Sequence, residues 1–410
     1  MTGIPASASR TQLSTLAISV TAILLVAACL RSAITAVGPV LDQIGAEYRL
    51  SEFWLGVLGA LPLIGFAVIS PVVHLMSRRP GAEQTVLWAV LALTLGLVLR
   101  STPGVWWLWL GTAGIGAAIA VINVLLPAIV KRDRAHRIPL VTGSYTAVMS
   151  GCAALASGVS APIAAATGSW RWSLCCWAAV SLPAAMLWWR QCRRRAGGVR
   201  LARADAEVTP VTAERVPRAR GVWRSPGAWH ITAFMGLQSS CYFLVVTWLP
   251  SIEAARGGSV EATGWYLTIA QIAGILAGLA VTTVMGRRRD QRWVAVGCAI
   301  PALVGGLGIV VLPEGMVVWM TLVVMATGAA LVVALALMGL RTRSHAQTGR
   351  LSGFAQSGGY AIAALSIVVA GAVGRLVGVT AVSWVVLAVS VLLLLVAPLA
   401  GRPDYVDGRP

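Results

Sequence analysis

An arginine inside an apolar segment is the residue with the clearest chemical potential. Arg31 is the one charged residue of the stretch LAISVTAILLVAACLRSAITAVGPVL. A charge at membrane depth is costly, and it marks a functional site by default. A guanidinium presents a fixed fork of donors that suits small planar anions. We therefore predict that Arg31 binds a small anionic or polar solute. The structural alternative is that its side chain reaches the outer headgroups or pairs with a carbonyl.

Two glutamine–tyrosine pairs repeat one spacing in two other apolar segments. Gln238 precedes Tyr242 by four residues, and Gln356 precedes Tyr360 by four. In a helix this spacing puts both side chains on one face, where they offer an amide, a phenolic hydroxyl and a ring. Polar side chains that face lipid are costly, so an interior position is favoured. The predicted substrate-binding residues are Arg31, Asn123, Tyr145, Gln238, Tyr242, Gln356 and Tyr360.

Twelve apolar runs must position these side chains. Hydrophobic residues make up 58% of the chain and charged residues 11%. Runs of about 20 apolar residues match the roughly 30 Å hydrocarbon core at 1.5 Å per helical residue, and continuous runs exclude the alternation of a membrane barrel. We predict an all-α membrane protein. The predicted spans are approximately 15–39, 54–76, 85–100, 106–130, 139–165, 172–190, 227–250, 263–285, 292–312, 316–340, 351–374 and 379–399.

The distribution of basic residues predicts the orientation of these spans. Most of the 32 Lys and Arg residues fall in alternate connections, counted from the amino terminus: 10, 78–79, 131–137, 190–224, 287–292, 341–350 and 402–409. The other connections carry only Arg49, Arg100, Arg171, Arg256 and Arg375. The positive-inside rule then places both termini in the cytoplasm. This pattern also accounts for the net charge of +18, so we expect no nucleic-acid partner.

The two halves of the chain resemble each other at a shift of about 210 residues. Lys131 corresponds to Arg341, Gly143 to Gly353, and the triplet 153–155 to 363–365. Each half holds six spans, which predicts two pseudo-symmetric six-helix bundles. The predicted organisation is an N-terminal bundle over 1–191, a basic cytoplasmic linker over 192–224 and a C-terminal bundle over 225–410. A shift of 211 puts Arg31 on Tyr242, so the predicted site has its cation in one half only.

Several local sequences resemble one transporter family. They are LRSAITAVGPVL, INVLLPAIVKR, VTGSYTAVMS, MGLQSSCYFLVVTWLPSI and MGLRTRSHAQTGRLSGFAQSGGYAIAAL. In order and spacing they resemble the cyanate and 2-nitroimidazole transporters of the major facilitator superfamily, over nearly the whole chain. The resemblance implies the major facilitator fold, and spacing and resemblance together imply a central cavity faced by the predicted site residues. Ser32 stands where a proline is expected, which implies a less bent first helix.

These observations predict a transporter, not an enzyme. We expect a secondary or facilitative transporter of the inner or plasma membrane that moves a small planar anionic or polar solute, cyanate-like, by alternating access. The alternative is an efflux transporter for nitroimidazole-type or other aromatic antimicrobials. A membrane-embedded enzyme or sensor is disfavoured, because no nucleophile, base and orienting group share a face. No Asp or Glu lies well inside a span, so we expect uniport, or proton coupling without a buried acid. We expect no cofactor, no metal and a monomer.

Overall fold

The fold consists of helices and short connections. The structure is a computed structural model of the 410-residue chain. It describes residues 10–50, 52–206, 222–257, 260–286 and 290–406. No β-strand occurs among these residues. The first six long helices are α1 Arg10–Thr35, α2 Glu52–Ile69, α3 Ala82–Arg100, α4 Val105–Asp133, α5 Ile138–Thr167 and α6 Ala178–Ala206. The second six are α7 Pro226–Ala255, α8 Val260–Met285, α9 Arg292–Val311, α10 Met316–Leu340, α11 His345–Val377 and α12 Val382–Ala400.

The twelve long helices correspond one to one to the twelve predicted spans, although the sixth span, predicted over 172–190, is divided between a short helix Trp170–Cys175 and α6. Eleven of the described helices are long and apolar enough to cross a bilayer, and α2 contributes a shorter apolar segment, Trp54–Ile69. The second span differs from its prediction of 54–76, because α2 ends at Ile69 and a separate short helix covers Val73–Met76. Pro71 explains the break, since proline lacks an N–H donor and disfavours helical geometry in the residue before it.

The structure differs from the prediction at two further places, the linker and the start of the eleventh span. Helix α6 continues to Ala206, so the first part of the linker predicted over 192–224 is helical. Residues 207–221 of that linker lie outside the described part of the chain. Helix α11 begins six residues earlier than predicted, because the side chain of Ser344 accepts a hydrogen bond from the main-chain N–H of Gln347 at 3.3 Å and caps the helix.

The two halves repeat one packing pattern. In the first half α1 packs on α5, α2 on α4, and α3 on both α4 and α6. In the second half α7 packs on α11, α8 on α10, and α9 on both α10 and α12. Each pair in one half therefore has its counterpart six helices later. This confirms the predicted fold of two pseudo-symmetric six-helix bundles.

Glycine contacts repeat as well, and they bring the paired helices close. A Cβ atom on Gly116 of α4 would lie 2.8 Å from Cα of Pro62 on α2. In the second bundle, a Cβ atom on Gly328 of α10 would lie 2.6 Å from the carbonyl oxygen of Gly274 on α8. Small residues are what allow membrane helices to approach at this distance. The α2–α4 and α8–α10 contacts are thus equivalent in both position and cause.

Three helix pairs connect the two bundles: α5 packs on α8, and α2 and α4 both pack on α11. We call one end of the molecule the basic end, because its connections α2–α3, α4–α5 and α10–α11 carry Arg78, Arg79, Arg134 and Arg343. The other end is called the opposite end, and it holds the connections after α1, α3, α5, α7, α9 and α11. Successive helices are antiparallel, so every connection belongs to one of these two ends.

A central cavity between the two bundles

A cavity of about 480 Å³ lies between the two bundles. Its wall comes from α1, α2, α4 and α5 on one side and from α7, α10 and α11 on the other. Wall residues toward the opposite end, such as Gly56 and Thr247, are exposed, whereas Phe66 and Met235 toward the basic end are buried. The cavity therefore opens at the opposite end and is closed at the basic end.

Arg31 of α1 lies in this cavity with its guanidinium over an aromatic ring. Its Cζ atom is 5.3 Å from the ring centroid of Tyr242 on α7, within the range of a cation–π contact. The hydroxyl of Tyr242 in turn accepts a hydrogen bond from Nε2 of Gln271 on α8 at 2.8 Å. Both Arg31 and Tyr242 also line a smaller adjoining cavity of about 30 Å³. The two residues related by the internal repeat thus face each other across the bundle interface.

Asn123 and Gln356 line the same large cavity. Nε2 of Gln356 donates hydrogen bonds to the main-chain carbonyl of Asn123 at 2.9 Å and to Oγ of Ser352 at 2.8 Å. Tyr360, one helical turn beyond Gln356, lines both cavities, and its ring centroid lies 5.0 Å from that of Phe66. Of the predicted residues, Arg31, Asn123, Tyr242, Gln356 and Tyr360 therefore share one cavity.

Gln238 occupies a different position from Gln356, although the two have the same spacing to a tyrosine. It is only 2% exposed and lines the small cavity. Its Nε2 donates to the main-chain carbonyl of Met235 at 3.1 Å and to Oγ of Ser239 at 2.7 Å. Both of these partners lie on its own helix, α7. The amide N–H groups of Gln238 are therefore directed toward α7 itself.

Tyr145 lies outside the lining of both cavities and is buried. Two neighbours on α5 line the cavities in its place: Thr146 lines the small cavity and Met149 lines the large one. Tyr145 and Met149 are separated by four residues and share one face of α5, so the difference lies in depth along the helix: Tyr145 is one turn nearer the closed basic end than Met149.

Sequence reasoning missed two polar residues. Gln271 was detectable, because an amide in the middle of the apolar run 263–285 requires a partner, and Gly274 and Gly278 on the same face line the small cavity with it. Arg100 was assigned to a loop, yet it is 1% exposed, and its Nη1 donates to the main-chain carbonyl of Ala33 on α1 at 2.7 Å. Arg100 thus binds the last turn of the helix that carries Arg31.

Arg31 dominates the electrostatics of the cavity. It is the one charged residue among those that line either cavity in the described ranges. Its guanidinium makes no ion pair or hydrogen bond with another described residue, and only its main-chain carbonyl accepts a side-chain hydrogen bond, from Thr35. Nor do the described ranges contain a group of three or more His, Cys, Asp or Glu side chains that could hold a metal ion. The arrangement is a single cation among rings, amides and hydroxyls, which fits recognition of an anion or of a strongly polarised planar group.

A fold of two repeated bundles around one central polar cavity is the architecture of a membrane transporter. The profile of the Major Facilitator Superfamily matches residues 23–366. The chain is 35% identical over 342 residues to the 2-nitroimidazole transporter of Escherichia coli (strain K12). The aligned region covers 83% of this chain and 84% of that protein. The chain is 25% identical over 376 residues to the cyanate transport protein CynX of the same organism, which covers 91% and 94% of the two chains.

A solved structure agrees with this assignment at the level of the fold. The proton:xylose symporter XylE, bound to 6-bromo-6-deoxy-D-glucose, superposes with a TM-score of 0.73 at 13% identity, over 97% of this chain and 98% of that one. The chain belongs to the Major Facilitator Superfamily. It is a multi-pass membrane transporter and not an enzyme, and the resemblance inferred from its motifs is confirmed.

Proposed function

We propose that this transporter moves a small planar solute, anionic or strongly polar and of the cyanate class, across the cell membrane by alternating access. The observation that carries the proposal is the position of Arg31, whose guanidinium faces the central cavity over the ring of Tyr242 at 5.3 Å. A charge held at the meeting point of two bundles can contact a solute from either side as the bundles rock.

The side chains around Arg31 suit a flat solute. Tyr242 and Tyr360 offer ring faces, and Asn123 and Gln356 offer amides within the same cavity. Arginine can donate two parallel hydrogen bonds to adjacent oxygen or nitrogen atoms, and such charge-assisted bonds are about twice as strong as neutral ones. A planar anion would lie against a tyrosine ring while the guanidinium binds its charged edge. We propose these residues, with Gln238 from the small cavity, as the substrate site. Tyr145, which lines neither cavity, would act indirectly through its neighbours on α5.

A second candidate is efflux of a nitroimidazole-type or other aromatic antimicrobial. The volume of about 480 Å³ favours it, because this volume falls in the range of about 300–1,000 Å³ typical of sites for drug-sized ligands and far exceeds a triatomic anion. Phe66 and Phe243 add further apolar wall. A relative at 35% identity is named for 2-nitroimidazole and one at 25% for cyanate. One site around Arg31 accommodates both chemistries, since a nitro group presents two coplanar oxygens.

The basic residues support an orientation for this transport. If the positive-inside rule holds, the basic end faces the cytoplasm, and both termini lie there too. The cavity, which opens at the opposite end, then accepts solute from outside the cell. Direction of net transport follows from the solute gradients and not from this geometry, so import and export use the same site.

Counterflow in proteoliposomes tests the proposal without any assumption about energy coupling. Vesicles preloaded with unlabelled cyanate should accumulate labelled cyanate, and 2-nitroimidazole should compete. Arg31→Gln should raise the KM at least about tenfold, since a hydrogen bond to a charged group contributes about 1.5–3 kcal/mol. Arg375→Gln, the same change at an exposed position of α11, should leave it unaltered. Exchange that survives equally in both variants would remove Arg31 from the site.

A further inference from the structure

The cavity carries a charge that no described side chain neutralises. Arg31 is its one charged lining residue, and its contacts are with neutral groups such as the ring of Tyr242. A cation–π contact stabilises a guanidinium but leaves its net charge in place. Arginine does not discharge by releasing a proton, as a buried lysine or histidine can. The unloaded transporter therefore holds a full positive charge between its bundles.

This charge matters most when the cavity closes. While the cavity is open to water at the opposite end, solvent stabilises the guanidinium. Alternating access requires an intermediate that is sealed at both ends, and an unpaired ion in such a water-poor interior is strongly disfavoured. A bound monoanion removes the penalty, because the sealed cavity is then neutral overall. The loaded protein can pass through the intermediate much more easily than the empty one.

Among the side chains that the structure describes, no carboxylate is positioned to replace that anion. Glu253 is the acidic residue of α7, and it follows Tyr242 by eleven residues, about 16 Å along the helix axis. Glu47, at the same end, is already bound by Arg171 and Trp170. Closure at the opposite end would bring these residues over the mouth of the cavity and not down to the guanidinium.

We propose that the protein is an obligatory exchanger of monoanions, which returns only when a second anion occupies Arg31. The proposal rests on the proposed function, because it assumes that the solute binds at Arg31, and it specifies how transport is coupled. Each half-cycle carries one anion against one fixed positive charge. Exchange is consequently electroneutral, whereas net uptake requires the return of a charged, empty cavity. No covalent step and no proton transfer is involved.

Initial rates of labelled cyanate uptake test this in proteoliposomes that contain the full-length protein. The vesicle lumen holds either unlabelled cyanate or only gluconate, and potassium with valinomycin sets the membrane potential. We expect uptake at least about tenfold faster with internal cyanate, a difference of about 1.4 kcal/mol in barrier height. We also expect the exchange rate to be independent of the potential. Internal chloride that restores fast uptake would equally support exchange, with chloride as the second anion.

Two variants separate the charge from other properties of the site. Arg31→Lys replaces the guanidinium with an amine that can release its proton in the sealed cavity, so it should weaken the preference for exchange over net uptake. Glu253→Gln should leave the preference unchanged, and a changed preference would show that this carboxylate neutralises the cavity and would overturn the proposal. Equal uptake with and without internal anion in the wild type would also overturn it, and the proposed function would stand. Absence of cyanate movement in every format would contradict both.

Discussion

Gln356 of α11 donates a hydrogen bond across the bundle interface to the main-chain carbonyl of Asn123 on α4, at 2.9 Å. The next residue repeats the connection, because Oγ of Ser357 donates to the carbonyl of Ala67 on α2 at 2.8 Å. Both bonds lie on the basic-end side of the cavity, and a rocking of the bundles that opens the cavity at the basic end must break them. A residue predicted to contact solute therefore also contributes to the closed gate.

Loss of one gate bond should shift the equilibrium toward opening at the basic end. Ser357→Ala removes the bond to Ala67, and at about 1 kcal/mol this should raise the population that is open at the basic end about fivefold. Distances between spin labels at Arg79→Cys and His345→Cys, which lie on the two bundles at the basic end, would measure it. Ser366→Ala is the matched control, since Oγ of Ser366 bonds Ser240 within one bundle at 2.9 Å. Equal shifts in the two variants would contradict the gate assignment.

The interaction between Gln271 and Tyr242 should appear as energetic coupling in solute binding. Gln271→Leu and Tyr242→Phe each remove the 2.8 Å hydrogen bond, so each should raise the KM about three- to tenfold by releasing the ring that faces Arg31. The KM of the double variant should rise by less than the product of the two single effects, because the same hydrogen bond is lost in both single variants and in the double variant. Counterflow titrations would provide the three values. Strictly multiplicative losses would mean that Gln271 does not position Tyr242.

Charge and periodicity explain why much of this architecture could be predicted from the sequence. A single arginine in an apolar run is conspicuous, and the cost of its exposure to lipid restricts where it can lie, so Arg31 could be placed at the centre. Long apolar helices likewise depend on local composition. The break after Ile69 is also a local effect, and Pro71 could have indicated it.

The depth of a side chain along its helix, and burial at a helix end, could not be predicted in the same way. Tyr145 and Met149 lie one turn apart on α5, and only contacts with other helices decide which of them reaches the cavity. Arg100 stands at the end of an apolar run, where a buried residue and a loop residue have the same local sequence. Its burial follows from the carbonyl of Ala33 on another helix. The inter-bundle role of Gln356 likewise depends on a partner more than 200 residues away.

A pH effect is expected at the opposite end, from Glu47. The Arg171 guanidinium lowers the pKa of the Glu47 carboxyl by hydrogen bonding, partial burial opposes this, and the indole of Trp170 adds a second hydrogen bond. A lowered pKa in the folded state stabilises the protein above the unfolded pKa, and this stabilisation is lost as the pH falls. Glu47→Gln should thus lower the Tm by about 1 °C at neutral pH, as for partly exposed ion pairs.

The difference between the wild type and Glu47→Gln should begin to shrink as the pH falls below the ordinary glutamate pKa of about 4.3, and it should vanish only below the lowered pKa of the folded protein, where the wild-type carboxyl becomes protonated. Thermal unfolding in detergent across a pH series would measure it. Glu314→Gln provides the control, because Glu314 is an exposed acid at the same end with no ion pair among the described residues. A Tm difference for Glu47→Gln that persisted undiminished at low pH would exclude the ion pair as its cause.

The close approach of α2 and α4 should depend on Gly116 and not on its neighbour Gly114. A Cβ atom at Gly116 would lie 2.8 Å from Cα of Pro62, so Gly116→Ala must push the helices apart, whereas a Cβ atom at Gly114 meets nothing within 4 Å. Overpacking of this kind costs about 1–3 kcal/mol, and Gly116→Ala should lower the Tm by about 2–6 °C. Gly114→Ala should be neutral or slightly stabilising. Because α2 also carries Ala67, Gly116→Ala should weaken the gate bond from Ser357 and increase opening at the basic end. A stable Gly116→Ala variant with an unchanged label distance would show that α2 can shift without cost.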